Sequence, residues 1–151
     1  MKFFYTLLLL VGFTSIAFAQ SEKQVKWTFT SKKIADKVYE IRMKADINGD
    51  FHLYAQNAGV EGPVPTAFKF VNNPLSSLDG KVKEVGKLIK KKEEVWGGNV
   101  NYYQGSVEFV QVVKLKGNIK TTVAGSVEFM VCNDNKCLPP SEVPFKIAVG
   151  G

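Results

Sequence analysis

Two cysteines, Cys132 and Cys137, are the side chains of this 151-residue sequence best suited to chemistry. They flank four polar turn formers, Asn133-Asp134-Asn135-Lys136, and are followed by Leu138 and a stiff Pro139-Pro140. Thiols at this spacing can close a disulfide across a tight turn, and such a bond serves either as a structural staple or as a pair that exchanges with other thiols. As a staple it is weak, because the chain-entropy model assigns a loop of about six residues roughly 2 kcal/mol, against nearly 5 for a loop of about 100. Lys136 beside Cys137 favours a thiolate and Asp134 opposes it, so local charge does not decide between the two readings.

The other chemical candidates are few. His52 is the one histidine. With two cysteines beside it there are too few ligands for a Cys/His zinc centre, and a Ser-His-Asp triad would have to be built around that residue. Asp46-Ile47-Asn48-Gly49-Asp50 opens like a calcium loop, but glycine stands fourth instead of sixth and Asn57 occupies the position of the bidentate glutamate, so a plain turn is the simpler reading. The chain has no Gly-x-Ser-x-Gly, phosphate loop or His-Glu-x-x-His motif. No cofactor and no metal are expected.

The setting of the cysteines follows from the first nineteen residues. A positive start at Met1-Lys2, an apolar run from Phe3 to Phe13 and the small residues of Ala17-Phe18-Ala19 predict a signal peptide over 1–19, cleaved before Gln20, and a mature domain over 20–151. The apolar run falls short of the roughly 20 residues a spanning helix needs, and no cysteine follows to carry a lipid, so the expectation is an exported chain without stable membrane insertion, periplasmic or extracellular. Disulfides persist in such compartments. The formal net charge of +6 drops to +5 once Lys2 is removed. Arg42 is the sole arginine, and without the guanidinium fork that reads phosphates, nucleic acid is not an expected partner.

The elements that must position these residues read as strands. Tyr39, Ile41, Met43 and Ala45 alternate with Glu40, Arg42, Lys44 and Asp46, the period of a strand with one buried face. Asn48-Gly49 then predicts a hairpin turn into Phe51-His52-Leu53-Tyr54, with His52 and Tyr54 on one face. Further strands are predicted over Val25 to Thr30, Thr66 to Val71, Lys81 to Leu88, Ser106 to Lys116, Thr121 to Cys132 and Glu142 to Val149. Gly105-Ser106-Val107-Glu108-Phe109-Val110 recurs as Gly125-Ser126-Val127-Glu128-Phe129-Met130, which predicts a second hairpin about Gly117-Asn118. Gln56 to Pro65 is a proline-bearing surface loop, and Lys90 to Gly98 is a charged hairpin tip whose Val95 and Trp96 would need a partner surface. Strand parity sets Val127, Phe129 and Val131 on the core face, which leaves Cys132 on the face of Glu128 and Met130. The fold class is all-β, an immunoglobulin-like antiparallel β-sandwich in a single domain.

Three blocks in order carry a family resemblance: Asp50-Phe51-His52-Leu53-Tyr54, Glu93-Glu94-Val95-Trp96-Gly97, and Cys132 through Pro140 followed by Val143-Pro144. From about residue 37 to 148 the chain resembles the N-terminal, immunoglobulin-like periplasmic domain of the thiol:disulfide interchange protein DsbD. Four residues instead of five between the cysteines, and valine at the cap's phenylalanine position, depart from the family pattern. The resemblance implies that Cys137 attacks, that Cys132 resolves the mixed disulfide, and that Val95 and Trp96 form a cap. It further implies that Tyr54, His52, Glu93 and Glu94 line the site, with thioredoxin-like exported proteins or a membrane electron donor as partners. With no membrane or thioredoxin segment before Gly151, the expectation is a stand-alone chain. The function reading is an exported thiol-disulfide exchange protein, with protein-disulfide reductase activity left open. The rival is a non-enzymatic β-sandwich binding or assembly module, with a structural hairpin disulfide and contacts through the Gln56 to Pro65 loop or the Trp96 tip.

Overall fold

The computed structural model describes residues 21–151. The leader expected over 1–19 lies outside them. Eleven strands follow: β1 (Val25–Ala35), β2 (Val38–Ile47), β3 (His52–Tyr54), β4 (Ala67–Phe70), β5 (Ser76–Val85), β6 (Ile89–Glu93), β7 (Gly98–Tyr103), β8 (Ser106–Leu115), β9 (Thr121–Phe129), β10 (Val131–Cys132) and β11 (Ser141–Val149). A single 3₁₀ turn, Glu94–Trp96, joins β6 to β7. The chain is an all-β, immunoglobulin-like antiparallel sandwich.

Three sheets enclose the core. The first has the order β1-β2-β8-β5, the second β11-β9-β4, and a third β10-β3-β7-β6. Period two is visible in the burial of β2, where Tyr39, Ile41, Met43, Ala45 and Ile47 point inward. On the outer face of that sheet Arg42 donates to Glu40 and to Glu108, each at 2.7 Å. Pairs on a solvent-facing, half-buried surface of this kind contribute about 0–1 kcal/mol, so the strand is held by its apolar face. The repeated Val-Glu-Phe serves both facing layers, because Val107 and Phe109 of β8 and Val127 and Phe129 of β9 enter the same core. Trp27 of β1 bridges them, with ring centroids 5.9 Å from Phe109 and 5.5 Å from Phe129.

The hairpins predicted at Asn48-Gly49 and at Gly117-Asn118 are corrected by the topology. β2 and β3 do not pair, since β2 belongs to the first sheet and β3 to the third. The Asn48-Gly49 turn, with Gly49 at φ 58°, instead carries the chain from one sheet to another. β8 and β9 likewise lie in different sheets, so the repeat faces itself across the core. β1 runs on to Ala35, β5 begins at Ser76 with an irregularity between Asp79 and Lys83, and the long strand expected to reach Cys132 breaks at Met130. Neither β6 nor β7 was among the predicted strands, although the charged hairpin tip expected within Lys90 to Gly98 does join them.

The third sheet positions the site. One face gives Leu53, Tyr103 and Val131 to the main core. Its other face gives Tyr54, Val100, Tyr102 and Cys132 to a smaller cluster with Ala58 and Met130. Strand parity thus placed Cys132 correctly, on the face away from the main core.

Candidate functional site

The site is built on β10, two residues long. Val131 anchors it in the core at 0 % exposure, and Cys132 pairs with His52 of β3. Beyond Cys132 the chain turns sharply. Asn133 Oδ1 accepts from the amides of Asn135 and Lys136, and the Asn133 amide donates to the Lys136 carbonyl at 2.9 Å. This is the turn chemistry that asparagine supplies with its own side chain. The chain returns through Cys137, bonded to Cys132, and the Leu138 amide donates to the Val131 carbonyl at 2.9 Å. Cys132 is 2 % exposed, whereas Cys137 is an exposed residue.

Facing this turn is the tip of the β6–β7 hairpin. Glu93 pairs with Gly98, and the 3₁₀ turn between them ends at Gly97 with φ 71°, a left-handed conformation that glycine adopts without penalty. The turn aims the Trp96 indole inward, where Nε1 donates to the Tyr54 hydroxyl at 3.0 Å. Val95 points outward at 76 % exposure. Lys91 spans the two walls, 3.5 Å from Glu93 and 3.9 Å from Asp134. A cleft of about 320 Å³ lies between them, lined by Tyr54, Lys91, Glu93, Val95, Trp96, both cysteines and the Asn133 to Lys136 turn.

Of the site residues read from sequence, Cys132, Cys137, Tyr54, Glu93, Val95 and Trp96 meet at this cleft. His52 lies beneath it, buried, with its ring 4.3 Å from that of Tyr102 and Nε2 3.4 Å from the Tyr54 hydroxyl. Glu94 is exposed on the 3₁₀ turn and does not line the cleft. Lys91 and Tyr102 were missed. Recognising β6 as a strand would have found Lys91, because it shares strand parity with Glu93.

Electrostatics here are set mainly by burial. Loss of solvent pushes the His52 imidazole below its usual value, against partial support from Glu93. Burial likewise raises the Tyr54 phenol, so both groups stay neutral near pH 7. The Glu93 carboxylate raises Lys91 and keeps it charged. Among the described residues, no group of three or more His, Cys, Asp or Glu side chains is placed to hold a metal ion. The disulfide of Cys132 and Cys137 lies in the lining of the cleft, and the chemistry it offers is thiol-disulfide exchange.

An immunoglobulin-like sandwich carrying a disulfide beneath an aromatic hairpin tip is the class these observations define. The family model for the N-terminal region of the thiol:disulfide interchange protein DsbD matches residues 18–148, and the chain belongs to that family. Among solved structures it is similar to the reduced DsbD N-terminal domain of Neisseria meningitidis. That match has 18 % identity and a TM-score of 0.56, and it covers 86 % of this chain and 89 % of that one. The complex of the DsbD and PilB N-terminal domains from N. meningitidis matches at 16 % identity and a TM-score of 0.54, covering 83 % of each chain. The N-terminal periplasmic domain of ScsB from Proteus mirabilis matches at 13 % identity and a TM-score of 0.60, over 86 % of this chain and 47 % of that one. At these identities the structures speak for the fold. No curated protein matches the chain. Among the described residues no helix is long and apolar enough to cross a membrane.

Proposed function

We propose that this chain is an exported thiol-disulfide exchange protein that passes reducing equivalents between protein partners through Cys132 and Cys137. The observation that carries this reading is the redundancy of the disulfide as a fastener. The turn it spans is already closed on the inside by the Asn133 to Lys136 hydrogen bond and on the outside by the Leu138 to Val131 bond. Leu138 is itself buried in the main core. A bond that holds little in place is free to open and close.

In the proposed cycle the reduced chain attacks a partner disulfide through the Cys137 thiolate, forming a mixed disulfide and releasing one partner thiolate. Cys132 then attacks the Cys137 sulfur and expels the second partner thiolate. Two electrons pass to the partner, and the intramolecular disulfide is left behind. A donor dithiol restores the starting state by the reverse sequence. The difference in exposure supports these roles, because an incoming protein reaches Cys137 while Cys132 stays fixed on β10. Trp96 and Val95 act as the cap, Tyr54 and Glu93 line the site, and His52 supports it from below. Partners of thioredoxin-like or membrane-embedded donor type, and a periplasmic location reached through the 1–19 leader, belong to the same proposal.

The decisive experiment is an equilibrium redox titration of the mature chain in thiol buffers, read by alkylation and mass. A potential between about −120 and −270 mV, the range of exchange proteins, supports the reading. A potential below about −300 mV marks a bond resistant to reduction by the glutathione pool and overturns it.

A further inference from the structure

The Gln56 to Pro65 loop has no role in the cycle above, yet its Val60 and Val64 pack against the same small cluster as Trp96. At Gly62 an added Cβ would lie 2.5 Å from Trp96 Cε3 and 2.6 Å from Cζ3. The six-membered ring of the indole thus rests directly on the Gly62 backbone. A second contact repeats the pattern, since a Cβ on Gly98 would lie 2.7 Å from Val60 Cγ1. Loop and hairpin tip meet only because glycine occupies one side of each contact.

The loop is held independently of the tip. At its start, the Gln56 amide donates to Glu84 Oε1 at 2.6 Å, and the Ala55 amide donates to the Asn101 carbonyl at 3.0 Å. In turn, the Asn101 amide and side chain donate to the Ala58 and Asn57 carbonyls, at 2.8 and 3.0 Å. At its end, the Thr66 hydroxyl donates to the Tyr54 carbonyl at 2.6 Å. A segment tied at both ends to strands of the third sheet and to Glu84 is a fixed surface on which Trp96 closes.

We propose that this loop sets the closed position of Trp96 over the disulfide, with Gly62 as its positioning residue. The inference rests on the reading of Trp96 as the cap. Any side chain at Gly62 occupies the volume of the indole ring, and its φ of 123° is one that L side chains rarely adopt, so loop and indole cannot both keep their places. The displaced Trp96 also loses its hydrogen bond to Tyr54, and the enclosed sulfur of Cys132 becomes accessible to thiols.

The test measures the rate of disulfide reduction by dithiothreitol in the mature chain, with Tm recorded for each variant. Trp96→Ala is expected to speed reduction by at least about fivefold, the shift that loss of a closed state near 80 % population produces. Gly62→Ala is expected to give a similar gain, and to add nothing further in the Trp96→Ala background. A purely structural weakening would multiply the two effects. Gly98→Ala, whose backbone is unstrained, gives the same comparison through Val60 if Gly62→Ala does not fold. A wild-type rate in folded Gly62→Ala or Gly98→Ala, beside a fast Trp96→Ala, overturns the role of the loop alone. An unchanged rate in Trp96→Ala overturns the cap itself, and the loop's role with it.

Discussion

Cys132 stands directly opposite His52 across the β10–β3 pair, and the two are 2 % and 4 % exposed. The chain's one imidazole is therefore built into the wall behind the fixed half of the disulfide, where burial holds it neutral. Its Nε2 faces the Tyr54 hydroxyl, which in turn accepts from Trp96. Histidine, phenol and indole form one chain of contacts from the sheet to the hairpin tip.

These contacts predict a pH dependence with a definite sign. The folded pKa of His52 lies below its ordinary 6.5, so between those two values the unfolded chain binds a proton that the folded chain does not. Stability from this group is complete above pH 6.5 and falls as pH drops toward the folded value. Tm measured from pH 7.5 to 5 is expected to decline more steeply in the wild type than in His52→Gln. Parallel profiles would show that His52 titrates normally.

Exposure separates the two sulfurs in kinetic terms. Cys132→Ala is expected to accumulate a mixed disulfide through Cys137 with a small disulfide substrate, visible as a mass increase. The trapped adduct of Cys137→Ala should be scarcer, because Cys132 is enclosed. Trapping only through Cys132 reverses the assignment of attacking and resolving residues, and equal trapping overturns the distinction.

Because hydrogen bonds close the turn on both sides, reduction should leave the fold intact. Urea unfolding with and without dithiothreitol is expected to differ by roughly 2 kcal/mol, the loop-closure value for about six residues. A cooperative transition should survive in the reduced form. Loss of that transition would mean that the disulfide is a structural requirement.

The core and the tip should respond very unequally to truncation. Phe129, 0 % exposed between two sheets, is expected to cost about 3–5 kcal/mol as Phe129→Ala. Val95, 76 % exposed, is expected to change unfolding free energy by less than about 0.5 kcal/mol as Val95→Ala. Denaturant midpoints at constant m-value check both.

What the sequence made legible was the periodicity, and what it hid was which strand pairs with which. Alternation in Tyr39 to Asp46 and in Thr121 to Phe129 located both strands and put Cys132 on the correct face. Asn48-Gly49 and Gly117-Asn118 looked like hairpin turns, but such a turn is equally compatible with a chain that crosses to the facing sheet. Residues 89–93 hid a strand because Lys90, Lys91 and Lys92 interrupt the alternation, as lysine often does on edge strands, where it discourages further pairing. The loop at Gln56 to Pro65 was readable from its prolines. The contact of Gly62 with Trp96 was not, since a close approach between residues thirty-four positions apart leaves no local signal.

The break at Met130 divides one strand between two tasks. On its N-terminal side β9 is locked between β11 and β4, and on its far side β10 carries the fixed sulfur. Opening the disulfide in the proposed cycle would therefore act on a two-residue strand, while the nine-residue strand before it keeps its register. Under the proposed cycle, oxidation state would touch folding only through the roughly 2 kcal/mol of loop closure, and the same scaffold would serve each turnover without being rebuilt.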